Sequence, residues 1–179
     1  MPDTLKSQLA ALIPLDDGVH QALVDVDDYE WLSRFRWRPL SPTAVGGPYA
    51  VTWMTGEGDV QMHRLILGLR RYDQRQADHR NRCHLDNRRC NLRIASRAQN
   101  TVNAVRRHDA ESPHSSRYRG VARTKDLSRW MARVGVGGRV RKHLGSFVDE
   151  VDAALAYDLA ALEHWGEFAN PNFLRCHHA

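Results

Sequence analysis

The sequence predicts an α+β protein built as two modules. Short alternating apolar runs bounded by Gly, Pro and Asp recur along the 179 residues, and runs at helical spacing stand among them. Between the halves, TVNAVRRHDAESPHSS loses its periodicity after Arg107 and gains Asp, Ser and Pro, a linker composition. The expected boundaries are therefore 1–106, a linker over 107–114, and 115–175.

In the first module, IPLDDG and QALVDV read as short strands, and DDYEWLSRFRW as a short helix capped by Asp27 or Asp28. The Pro- and Gly-rich SPTAVGGP is a turn. YAVTWM is a strand closed by the turn TGEGD, and QMHRLILGL places Met62, Leu65, Ile66 and Leu69 at helical spacing. A strand ending in Asp78-His79, a polar loop and a second strand LRIA follow. Ser96-Arg97-Ala98-Gln99 then opens a helix with a capping box.

In the second module YRGVAR, RWMARVGV and VRKHLGSF form three strands, the last two joined by a Gly137-Gly138 turn. DEVDAALAYDLAALEHW is one helix, capped by Asp149 and stopped at Gly166, whose many Ala allow close approach to the sheet. The expected architecture is a three-stranded antiparallel sheet packed on one helix.

Composition narrows the function. A 42% apolar content argues against a disordered chain. No run of eighteen apolar residues occurs, and the first eighteen residues lack the marks of a secretory signal, so a soluble, cytoplasmic, monomeric protein with no membrane partner is expected. The three Cys make no disulfide framework, and the six-residue gap between Cys83 and Cys90 is not knuckle spacing, so no structural Zn²⁺ is expected. The net charge is −5 over 1–60, +8 over 61–110, +7 over 111–145 and −5 over 146–179. All the net positive charge thus lies in one central block of eighty-five residues. A polyanion partner compensates such a block, and double-stranded DNA is the foremost candidate.

The stretch QADHRNRCHLDNRRCNLRIASRAQN carries candidate chemistry. A carboxylate, an imidazole and a carboxamide near a helix start suit a hard divalent cation, Mg²⁺ before Mn²⁺, with phosphate and water completing its shell. An imidazole also suits a general base. Against this, adjacent strand residues point to opposite faces, so Asp78 and His79 share a site only if the strand ends there. A solvated basic loop remains the alternative.

The set DH…DNRRCNLRIASRAQN, with MHRLILG upstream, resembles the His-Asn-His endonuclease family, in the His-Asn-Asn variant of phage and intron-encoded homing endonucleases. The resemblance implies a ββα-metal motif over about 74–106 and a metal-dependent hydrolase that nicks double-stranded DNA in a bacterial or phage-infected cell. By position it implies that Asp78 and Asn100 bind the metal, His79 activates water, Asn91 holds the loop and orients His79, and Arg64 meets phosphate. The chain departs from the family where Arg82-Cys83 replaces a Gly-Asp turn.

Residues 115–173, with YRGV, RWMARV, LGSF, AALAYDLAA and GEFANPNF in order, resemble the Apetala/ethylene-response-factor DNA-binding domain of plants. That implies a sheet seated in the major groove. Strand alternation puts Arg129, Met131 and Arg133 on one face of RWMARVGV, and Arg139, Arg141 and His143 on one face of the next strand, with Arg119 and Arg123 extending the surface. Two departures, Ala122 for Arg and His143 for Trp, put the plant target sequence in doubt. Together the two resemblances imply a sequence-directed DNA endonuclease; the rival expectation is a non-catalytic DNA-binding transcriptional regulator that keeps the hairpin scaffold. RNA binding is disfavoured, because the sheet lacks exposed aromatics.

Overall fold

The computed structural model describes residues 9–41, 46–103, 114–138 and 140–173. Arg139, Cys176 and most of the expected linker lie outside the described residues. The chain forms two compact units, Met1–Arg97 and Ala98–Ala179.

The first unit opens with an antiparallel hairpin of β1 (Ala10–Pro14) and β2 (Gln21–Asp25), which pairs Ile13 with Ala22 and Ala11 with Val24. Alternation turns Ile13, Ala22 and Val24 inward. Helix α1 (Val26–Leu32) follows without a gap. Its N-cap is Asp25, not Asp27 or Asp28, and the Asp25 side chain makes no capping bond. Asp28 is instead buried: its carboxylate accepts from Arg89 Nε at 2.8 Å and Nη2 at 2.7 Å, and from Trp31 Nε1 at 3.0 Å. Buried carboxylates persist when so paired.

Strands β3 (Arg38–Leu40), β4 (Tyr49–Met54) and β5 (Gly58–Gln61) form an antiparallel sheet in that order, and α2 (Met62–Ile66) leaves β5 directly. Met62 and Ile66, one helical turn apart, join Ile13, Val24, Leu32, Trp37 and Leu92 in one core. Trp37 is fully buried, and its indole donates to Leu32 O at 2.8 Å. The last hairpin pairs β6 (Gln76–His79) with β7 (Leu92–Ala95), setting Asp78 opposite Arg93 and His79 opposite Leu92.

Helix α3 (Arg97–Asn103) comes next in sequence, but from Ala98 onward it belongs to the second unit. Within that unit Val102 O accepts from Arg119 Nη1, and Asn103 O from Asn170 Nδ2. The hairpin and helix of the expected ββα-metal module follow in the expected order, and the division between the two units falls at Arg97–Ala98. The fold is α+β with antiparallel sheets.

The second unit has the order β8 (Val121–Arg123), β9 (Trp130–Gly137), β10 (Val140–Phe147), α4 (Glu150–Trp165), then a 3₁₀ turn at Gly166–Phe168. The sheet is antiparallel with β9 in the centre. Asp149 caps α4, its Oδ1 accepting from Val151 N at 2.6 Å and Asp152 N at 3.3 Å, and Gly166 ends it at φ +53°. Ala153, Ala154 and Ala161 are fully buried against Val121, Ala132 and Val134. Small side chains on this face let helix and sheet approach closely. Gly120 takes the approach furthest: at φ +76°, a Cβ there would fall 2.0 Å from Tyr157 Cδ2 and 2.7 Å from Arg133 O. Only glycine fits.

Candidate nucleic-acid interface

Register fixes which side chains share the sheet face away from α4. Ala132 and Val134 are buried, so Met131, Arg133 and Gly135 face the other way. Cross-strand pairing then places Ala122 and Ser146 beside Met131, His143 beside Arg133, and Arg141 beside Gly135. Arg133, Arg141 and His143 are exposed there, and Arg129 is exposed just before β9. A basic surface results, as alternation alone anticipates.

Simple alternation fails in β10, where a register shift between His143 and Gly145 leaves Leu144 without a partner. This is a bulge, and Gly145 at φ +138° belongs to it. Beyond it Phe147 pairs with Trp130 on the helix side and joins the core, whereas uninterrupted alternation from His143 would turn it outward.

Two expected members of the surface are tied elsewhere. Arg123 pairs with Trp130, stacks its guanidinium 4.2 Å above that ring, and donates to Leu127 O at 2.6 Å. Arg119 donates from its side chain to Val102 O at 3.0 Å. Its backbone is clasped by Asn172, whose Oδ1 accepts from Arg119 N and whose Nδ2 donates to Arg119 O. Asp158, buried in α4, holds Asn172 in turn, accepting from its backbone N at 2.7 Å and Nδ2 at 2.9 Å. Sequence reasoning missed this clasp. The signal was available, since Asp158 falls on the helical face of Ala154, Tyr157 and Ala161, where a carboxylate needs partners.

In the first unit, the residues expected to do chemistry are packed together. Asp78 and Arg93 are both buried, and Arg93 donates from Nε and Nη2 to Asp78 Oδ2, each at 2.7 Å. His79 Nε2 lies 3.2 Å from Asn87 Oδ1. Burial holds the His79 pKa down at about 4, and it drives that of His63 well below the usual histidine range. These rings stay neutral near pH 7. Asn91 does hold the loop: its Oδ1 accepts from Asn81 N at 3.0 Å, and its Nδ2 donates to Asp86 O at 2.7 Å. The partner found on the His79 ring is Asn87, which sequence reasoning did not single out. Arg64 reaches back to Arg70 O at 2.7 Å and Arg75 O at 3.3 Å.

The Arg82-Cys83 departure is accommodated. Arg82 takes the left-handed conformation itself, at φ +63°, while Asn81 Oδ1 accepts from Cys83 N at 2.8 Å in an Asx turn. The loop is also sewn to β2, where Leu23 N donates to Leu85 O and Asn87 N to Leu23 O. Asn100 falls in the second unit and Asp78 in the first. Among the described residues no group of three or more His, Cys, Asp and Glu side chains is placed to hold a metal ion. Asp78 Oδ2 is engaged by Arg93, so this carboxylate is paired with a guanidinium and not held ready for a hard divalent cation.

The chain is 48% identical over 59 residues to the ethylene-responsive transcription factor WRI1 of Arabidopsis thaliana, covering 32% of this chain and 14% of the relative. An AP2-like ethylene-responsive transcription factor of the same plant is 46% identical over 59 residues, 32% of this chain and 17% of the relative. PLT2, another AP2-like ethylene-responsive transcription factor of Arabidopsis thaliana, is 43% identical over 77 residues, with shares of 42% and 14%. The chain thus spans about a sixth or less of these relatives' length. No family model matches it.

These relatives are transcription factors by name, which supports the Apetala/ethylene-response-factor likeness of the C-terminal segment. They overturn the expectation of a metal-dependent endonuclease, together with its hydrolase class and its homing and phage setting. The His-Asn-His likeness gains no support. No described helix is long and apolar enough to cross a membrane.

Proposed function

We propose that this chain is a non-catalytic, DNA-binding regulator of transcription, and that the outer face of β9 and β10 meets the duplex. The observation that carries the reading is the exposed row Arg133, Arg141 and His143, with Arg129 at its edge, on a sheet whose other face is filled by α4. Arg is suited to guanine edges and to phosphate, and a sheet of this kind has the breadth to enter a major groove. The named transcription-factor relatives support the same reading.

In this reading the first unit is a scaffold. Asp78, His79 and Asn91 serve the fold: a buried ion pair, a neutral buried ring and a loop staple. Arg119 and Arg123 position the sheet from behind, Asn100 belongs to α3, and Arg64 braces the 70–75 turn.

The test is fluorescence anisotropy of the full chain on duplexes selected from a random pool. A nanomolar-range site is expected, with Arg133→Ala and Arg141→Ala each weakening binding about 5- to 100-fold. Selection that yields no duplex above background would refute the proposal.

A further inference from the structure

The outer sheet face holds an uncharged row that the basic reading leaves unused. Ala122, Met131 and Ser146 stand side by side across β8, β9 and β10 by register, and none belongs to a core cluster. Met131 is the large apolar member. It is partly exposed on the face away from α4, with exposed Arg129 just before the strand and exposed Arg133 two residues on, and Arg133 Nη2 lies 2.9 Å from its thioether sulfur. The thioether thus keeps apolar surface open to a ligand beside a guanidinium on a solvated face. The chemistry on the page fits a ligand that is apolar at one point and anionic or acceptor-rich on either side.

The major groove presents an apolar point of that kind at one base alone, with acceptors on its neighbours and on the phosphates. Thymine carries a C5 methyl group, and guanine offers N7 and O6 acceptors that match Arg. We propose that Met131, with Ala122 beside it, reads a thymine methyl group, while the flanking Arg129 and Arg133 engage guanine or phosphate. Resting on the regulator reading, this deepens it by naming the base class at the centre of the site. Ala122 matters because a longer side chain there would cover Met131; Ser146 is short enough to leave it open from the other strand.

Replacing thymine by deoxyuridine removes the methyl group and leaves every hydrogen-bonding edge unchanged. Each thymine of a selected duplex is replaced singly, and affinity is measured with the full native chain and with Met131→Ala. One replacement is expected to weaken native binding about fourfold, the worth of one buried methyl group. Met131→Ala should bind both duplexes alike, near the native affinity for the deoxyuridine form, while Met131→Leu keeps the preference. Tight native binding that no replacement disturbs would overturn this inference and leave the regulator reading standing. Retained discrimination in Met131→Ala would overturn it too. Failure to select any duplex would remove both readings together.

Discussion

His79 shows what one buried residue does to the molecule. Its pKa of about 4 lies below the ordinary value of 6.5, because burial penalises the charged ring. The unfolded chain therefore binds the proton more readily than the folded one, so stability is full above about pH 6.5 and falls as pH drops toward 4. The size of the loss is about 3 kcal/mol for this group. His63 acts in the same direction. Thermal melts between pH 7 and 4 should show the first unit weakening through this window, with a flatter profile in His79→Gln. The Asp78–Arg93 pair gives a second residue-level expectation. Arg93→Met leaves a buried carboxylate without its guanidinium, and urea unfolding should register a loss of about 3–5 kcal/mol. Restoring neutrality with Asp78→Asn in the same chain should recover part of it.

Among the elements, α4 and the turn before β8 depend on one contact. Gly120 sits under the Tyr157 ring at φ +76°, and an added methyl group would overlap that ring and the Arg133 carbonyl. Gly120→Ala should cost the second unit 3 kcal/mol or more, combining backbone strain with overpacking. Calorimetry should show the second unit's transition displaced while the first unit's stays in place. Asp149→Ala removes two capping bonds and should cost about 1 kcal/mol in the same unit. In β10 the element-level feature is the bulge at Leu144, which decides that His143 faces outward and Phe147 inward.

The whole molecule concentrates its positive charge in residues 61–145, between two acidic flanks. Binding to a duplex through such a surface releases condensed counterions, so affinity should fall steeply with salt. Plotted as logarithms, the slope should shrink by roughly 0.9 for each arginine removed from a phosphate contact. Arg141→Ala offers that measurement. Divalent ions have no place in this reading. Chelation by EDTA should leave selected-duplex affinity unchanged at constant ionic strength, and supercoiled plasmid incubated with Mg²⁺ should stay intact.

The sequence by itself determined the elements of the second unit, because strand alternation, the Gly137-Gly138 turn, the Asp149 cap and the Gly166 stop are local signals. It also determined the basic block and most of the exposed row on β9 and β10. Tertiary structure decided what local pattern cannot hold. Whether Asp28 caps a helix or pairs with Arg89 depends on a residue sixty-one positions away. Whether Arg123 joins the outer surface or stacks on Trp130 depends on strand register, and the outward turn of β10 depends on a one-residue bulge. At Asp78 and His79 the residue types suit metal and proton chemistry, but the chain folds them into a buried ion pair and a neutral ring. Residue identity states which chemistry is available, and burial with its partners decides which of it is left to use.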